Sequence, residues 1–147
     1  MDKIEKSYTI KSIDTIDTSD IDENIVLNHL KLRDDLKIFL KNTSVETTFI
    51  KFGASWCKPC HTIGPIIKSL NEQVKKANLK LNYFDLDVDE CVDLYSFMKQ
   101  KKMIRGIPVI MCYKKSQYND NSFYAPSDSV TGASVNDVVN FYKRNIS

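Results

Sequence analysis

The most informative stretch of this 147-residue chain is Phe49-Ile50-Lys51-Phe52-Gly53-Ala54-Ser55-Trp56-Cys57-Lys58-Pro59-Cys60. Its apolar first half predicts a buried strand, and a short turn at Trp56 then leads to two cysteines separated by two residues. From Pro59 onward the apolar residues recur with the period of a helix, at Ile63, Ile66, Ile67, Leu70 and Val74. The two cysteines are therefore predicted to lie where a strand passes into a helix.

The start of a helix changes the chemistry of a cysteine. Unpaired N–H groups of the first turn and the positive end of the helix dipole both favour a thiolate over a thiol. The thiolate is the nucleophile of disulfide exchange. Cys57 stands at the predicted helix start, Lys58 adds a positive charge beside it, and Cys60 lies one turn deeper. This arrangement predicts a redox site.

The composition restricts the function classes. A length of 147 residues predicts one domain, and a net charge of +2 gives no reason to expect nucleic acid or a membrane surface as a partner. The first residues do not resemble a signal peptide, and no run of about 18 apolar residues occurs. We therefore expect a soluble intracellular protein, in which a Cys-x-x-Cys pair is catalytic or metal-binding rather than a structural disulfide.

The remaining patterns predict an α/β fold. Residues 8–13 alternate loosely and indicate a peripheral strand, and Asp20 with Glu23 resembles a capping box that starts a helix reaching about Lys41. Further alternation and helical periods give the order β-α-β-α-β-α-β-β-α. This order predicts a central mixed sheet with helices on both faces.

Two predictions near the C-terminus complete this order. The apolar run from Ile107 to Tyr113 indicates a buried strand that starts at a proline, and residues 122–130 indicate an interrupted edge strand. Ser134 with Asp137 three residues later predicts the start of the last helix.

Four segments together resemble the thioredoxin family. They are Trp56-Cys57-Lys58-Pro59-Cys60, Pro65, Ile104-Arg105-Gly106-Ile107-Pro108 and Thr131-Gly132-Ala133. The resemblance implies a thioredoxin fold, with residues 21–147 as the thioredoxin domain. Residues 1–20 would then be an N-terminal extension that holds the candidate peripheral strand.

The resemblance also implies roles for the site residues. Cys57 would attack a target disulfide and Cys60 would resolve the mixed disulfide. Pro108 would follow a cis peptide bond, and the backbone of Ile107 would pair with an extended substrate segment. The docking surface would comprise Trp56, Ile107, Pro108, Gly132 and Ala133, and the active site would be supported by Trp56, Lys58, Pro59, Lys51 and Pro108.

Lys51 departs from the family pattern. Thioredoxins usually carry a buried Asp at this position, which accepts a proton from the resolving thiol. Two interpretations of Lys51 stay open: its side chain extends to solvent and the base is absent, or it pairs with Asp85 of the neighbouring strand, which then serves as the base.

The cysteines also fit two other kinds of site less well. Cys57 to His61 also matches the c-type haem attachment motif, but that interpretation leaves Trp56 and the Ile-Pro strand unexplained. A zinc site would need two more ligands, and Cys91 and Cys112 do not form a matching pair. Cys112 is predicted to be an inert core residue, whereas Cys91 is either exposed and open to oxidation or a buried filler.

The predicted function is that of a thiol–disulfide oxidoreductase that reduces protein disulfides. Its partners would be disulfide-containing proteins and a thioredoxin-reductase-like electron donor, with no metal and no cofactor beyond the Cys57–Cys60 disulfide. We expect a cytoplasmic monomer, with a virus-encoded or virion protein as an open alternative. The alternatives in function are a thiol oxidase or isomerase with a more oxidising couple, and a binding module that keeps the fold.

Overall fold

Five strands and four α-helices alternate in the part of the chain that the computed structural model describes, residues 11–12 and 30–146. The strands are β1 (Lys11–Ser12), β2 (Thr47–Gly53), β3 (Asn82–Asp87), β4 (Val109–Lys114) and β5 (Asp128–Thr131). The helices are α1 (Arg33–Asn42), α2 (Lys58–Lys76), α3 (Val92–Gln100) and α4 (Val135–Asn145). The predicted element order is confirmed.

The strands form one mixed sheet in the order β1-β3-β2-β4-β5. Strands β1, β3 and β2 are parallel, whereas β4 is antiparallel to β2 and β5 is antiparallel to β4. All seven residues of β2 are buried, as expected for a central strand that is covered on both faces. The sheet therefore holds the segment before the two cysteines rigidly.

Helices cover both faces of the sheet. Ile50 and Phe52 of β2 share one core cluster with residues of α1 and α3, and Phe49 shares the other with residues of α2 and α4. Because successive side chains of a strand point to opposite faces, Lys51 lies on the same face as Phe49, toward α2. The predicted fold class is confirmed, and Lys51 lies beneath the helix that carries Cys60.

The predicted first helix is confirmed at its end, but residues 30–32 within its predicted span are not helical. Helix α1 begins at Arg33, because Leu32 has extended backbone angles (φ −102°, ψ 154°). The Asp35 carboxylate accepts the backbone N–H of Leu32 at 2.8 Å, which fixes this start. Asp20 and Glu23 lie outside the described residues, as does the predicted domain boundary between residues 20 and 21.

The edge strands differ in length from their predictions. Lys11–Ser12 pairs in parallel with β3 and confirms part of the peripheral strand, while residues 8–10 and 13 lie outside the described residues. Strand β5 begins at Asp128, so the predicted interrupted strand over 122–130 is confirmed after its interruption and wrong before it, at residues 122–124. In that segment the Phe123 ring stacks on Phe97 of α3 at 5.8 Å, and the Tyr124 carbonyl accepts the Tyr113 hydroxyl. The segment therefore packs through its rings instead of forming a ladder.

Lys115, just after β4, holds the loop of residues 115–127 against α1. Its ammonium donates to the carbonyl oxygens of Leu40 (3.2 Å) and Lys41 in the last turn of that helix. A cation at a helix C-terminus satisfies the unpaired carbonyls and opposes the negative end of the dipole.

We expect Lys115→Met to lower the free energy of unfolding by about 1 kcal/mol, because these charge-assisted bonds are lost. Urea denaturation followed by circular dichroism measures the change. Lys80→Met, at an exposed position outside this loop, is the matched control. Equal stability of the Lys115 variant and the control would contradict the proposed contact.

Candidate active site

Cys57 is the N-cap residue of α2 and is bonded to Cys60 in a disulfide, with 5.3 Å between the two Cα atoms. The Cys57 sulfur accepts the backbone N–H of Cys60 at 3.3 Å. Pro59 lies in the first turn, where a missing N–H costs nothing. Each cysteine is only 5% exposed. The predicted position of the pair at a strand-to-helix junction is confirmed.

A cis peptide bond joins Ile107 to Pro108, as the family resemblance implies. The Ile107 carbonyl oxygen lies 3.9 Å from the Cys57 sulfur, and the Pro108 carbonyl accepts the N–H of Gly132 at 2.8 Å. Gly132 has φ +99°, a conformation that glycine adopts without steric cost. The Ile107–Pro108 segment therefore contacts both the Cys57 sulfur and Gly132, which lie far apart in the chain.

The surface around the disulfide is apolar and accessible. Trp56 is 67% exposed, Ile107, Gly132 and Ala133 are half-buried, and Pro108, which was also predicted for this surface, is buried. The Trp56 Nε1–H donates to the Asp89 carboxylate at 2.8 Å, an interaction that the sequence reasoning missed. Asp89 follows the strand β3, 33 residues after Trp56, and no motif links the two residues. The bond orients the indole ring next to the site.

Lys51 pairs with Asp85. The two residues are directly opposite in the register of β2 and β3, and the Lys51 ammonium lies 3.7 Å from the Asp85 carboxylate. The Lys51 side chain is 8% exposed and that of Asp85 is 61% exposed. Of the two arrangements left open by the sequence, the structure has the paired one.

A cleft of about 430 Å³ opens below the disulfide. Its lining includes Lys51, Gly53, Cys60, His61 and Asp85. His61 is exposed, and its Nε2 lies 2.6 Å from the Ser55 carbonyl oxygen, so this nitrogen carries the proton that is donated. Cys60 is therefore in contact with a water-accessible space lined by titratable groups.

The two remaining cysteines lie apart from the site and from each other. Cys91 belongs to the core cluster on the α1 and α3 side, and Cys112 belongs to the cluster on the α2 and α4 side. Burial, followed by the charge of Asp87, raises the pKa of the Cys91 thiol from 9.0 to about 12, and burial raises that of Cys112 to about 11. Cys112 is a core residue as predicted, and Cys91 is the buried filler of its two alternatives.

We expect iodoacetamide at about pH 8 to modify Cys57 in the reduced, folded protein and to leave Cys91 and Cys112 unmodified, since the thiolate is the reactive form. Peptide mass spectrometry identifies the modified cysteines. Labelling of Cys91 in the folded state would contradict its burial.

The raised pKa values of Cys91 and Cys112 also predict the sign of a pH effect on stability. The unfolded chain releases these protons near pH 9 and the folded one nearer 11 to 12, so the free energy of unfolding falls across that interval.

The part of the chain that the structure describes has neither a metal-binding cluster nor a membrane-spanning helix. Within it, no three His, Cys, Asp or Glu side chains gather as a metal-binding group. No helix in this part of the chain is long and apolar enough to span a bilayer.

Comparison with known proteins gives consistent matches. A family model described as Thioredoxin matches residues 31–141. The thioredoxin of Ictalurus punctatus is 28% identical over 109 residues, which are 74% of this chain and 95% of that protein. Thioredoxin 3 of Plasmodium falciparum is 28% identical over 123 residues, which are 83% of this chain and 61% of that protein.

A solved thioredoxin structure is also similar to this chain. The reduced thioredoxin pre-protein of Schistosoma mansoni superposes with a TM-score of 0.57 at 26% identity, covering 80% of this chain and 95% of that one. The family model spans most of the chain, and the Cys57–Cys60 disulfide lies at the Cys-x-x-Cys position of the matched domain. The chain belongs to the thioredoxin family of thiol–disulfide oxidoreductases.

Proposed function

We propose that this protein reduces disulfide bonds in other proteins through the Cys57/Cys60 couple. The observation that carries the proposal is the Cys57 sulfur at the N-cap of α2, 3.9 Å from the carbonyl oxygen of the cis Ile107–Pro108 bond. Ile107 precedes the ladder residues of β4, and its backbone can pair with an extended substrate segment, which brings the substrate disulfide to Cys57.

The reaction consists of two exchanges. The Cys57 thiolate attacks one sulfur of the substrate disulfide, and the other substrate sulfur leaves as a thiolate that takes up a proton. The Cys60 thiol then loses its proton and attacks the Cys57 sulfur, and the second substrate sulfur leaves in the same way. The substrate gains two electrons and two protons, and the protein ends with the Cys57–Cys60 disulfide seen in the structure.

A second protein must reduce the Cys57–Cys60 disulfide after each cycle. We propose a thioredoxin-reductase-like protein as the electron donor, with no organic cofactor or metal on this chain, because the two sulfurs carry both electrons. A monomer in a reducing compartment such as the cytoplasm fits this cycle, since a reductase must keep the couple reduced there.

Insulin reduction tests the proposal. Protein that has been reduced with dithiothreitol and desalted should release about one pair of insulin thiols per molecule, as counted by a thiol reagent. With NADPH and a purified thioredoxin reductase, turnover should become catalytic. A reduced protein that is readily oxidised by glutathione disulfide but leaves insulin intact would overturn the reductase proposal and would favour the binding module.

A further inference from the structure

Lys51 is the one charged side chain that is buried among residues 30–146. Removing an ammonium from water is costly, and a partly exposed carboxylate such as Asp85 returns only part of that cost. A buried ion pair of this kind contributes little to stability, so its position in the site is the more informative property.

Gly53 shows how close Lys51 comes to the resolving cysteine. A methyl group built on Gly53 would lie 3.3 Å from the Cys60 sulfur and 3.7 Å from Cε of Lys51. The two side chains therefore approach the same small volume, which is open because position 53 has no side chain. Both also line the cleft below the disulfide.

We propose that the Lys51 ammonium stabilises the Cys60 thiolate and so accelerates the release of reduced substrate. This inference rests on the proposed function, because it concerns the second exchange. In that exchange the Cys60 thiol gives its proton to water in the cleft. Its sulfur then forms the bond to Cys57, and the electron pair of the broken bond leaves with the substrate thiolate.

The other charged groups around the cleft define the field at Cys60. Lys51 is the one lysine or arginine that lines this cleft, and Asp85 of β3 opposes its field while holding it in place. Asp87 of β3 also lines the cleft, and its carboxylate accepts the N–H of Asp89 at 2.8 Å. From α2, His61 directs Nε2 to the Ser55 carbonyl. The positive charge of Lys51 favours a thiolate at Cys60, whereas the negative charges of Asp85 and Asp87 oppose it.

The test follows the alkylation of Cys60 against pH in a Cys57→Ser background, with peptide mass spectrometry as the readout. Lys51→Met should raise the pH of half-alkylation by about one unit, a tenfold loss of thiolate at a given pH. Lys51→Arg keeps the charge and should restore the profile. Lys68→Met, on the exposed side of α2, removes the same charge elsewhere and should leave the profile unchanged.

Asp85→Asn separates this proposal from the alternative in which Asp85 is the base. Without its counter-ion the Lys51 charge is stronger, so the half-alkylation pH of Cys60 should fall, opposite to the effect of Lys51→Met. This second variant also keeps the proposal testable if Lys51→Met fails to fold. An unchanged profile in a folded Lys51→Met protein, or an upward shift in Asp85→Asn, would overturn the proposal.

With Cys57 present, Lys51→Met should slow the release of substrate from the mixed disulfide about threefold. The tenfold loss of thiolate is partly offset, because a less acidic thiol is the better nucleophile. Since the alkylation experiment contains no substrate, it can fail while insulin is still reduced, and the reverse is equally possible. The two proposals are therefore tested separately.

Discussion

Replacing Cys57 by serine is expected to abolish insulin reduction, with a loss on the order of a thousandfold or more. Cys57 carries the attacking sulfur at the N-cap of α2, and a serine hydroxyl remains protonated at neutral pH. The measurement is the NADPH-coupled rate of insulin reduction with a purified reductase.

The matched control is Cys112→Ala, which removes a thiol that is fully buried in the core cluster that does not contain Cys57. This variant should keep the activity of each folded molecule, even if its stability is lower. If the Cys57 variant kept even a tenth of the activity, the attacking sulfur would have to be a different one, and the proposed cycle would be wrong.

Replacing Cys60 by serine is expected to convert the protein from a catalyst into a trap. Cys57 keeps its position at the helix start and still accepts the backbone N–H of position 60, so the first exchange proceeds. The second exchange lacks its thiol. The mixed disulfide should therefore persist for about minutes to hours, the time scale of uncatalysed disulfide rearrangement.

Non-reducing electrophoresis of the Cys60→Ser protein incubated with a disulfide-containing protein should show a covalent adduct that dithiothreitol dissolves. Mass spectrometry should locate the bond at Cys57. The double variant Cys57→Ser/Cys60→Ser is the control and should form no adduct. An adduct through Cys91 would contradict both the burial of that thiol and the assigned roles.

The central part of the fold was predictable from local patterns. Strand β2 and helix α2 are confirmed because an apolar run and a helical period meet at Cys57. The expectation that Lys51 lies near Asp85 came from the family resemblance, and the register of β2 and β3 confirms it. The cis bond before Pro108 followed from the family resemblance rather than from the residues themselves.

The interactions that the sequence did not predict join residues with no common motif. The Trp56 bond to Asp89 and the Gly132 bond to Pro108 both form between loops that only the folded sheet brings together. The error at the beginning of the predicted edge strand has a similar reason, because the partner of Phe123 is a ring on α3 and not a neighbouring strand. Local propensity carries no information about such partners.

The loop of residues 115–127 is attached at the beginning of β2, where Ser116 bonds to the carboxylate of Glu46, whereas Cys57 follows the other end of that strand. Seven residues of extended chain separate the two ends by roughly 20 Å. Residues 119–121 are exposed at the tip, and the Lys41–Asp120 ion pair beside them is solvent-accessible. Exposed tips of this kind accept inserted peptides well. An affinity tag or fluorescent reporter inserted there should leave electron transfer unaltered. This loop is therefore a suitable position for a tag that recovers trapped substrates.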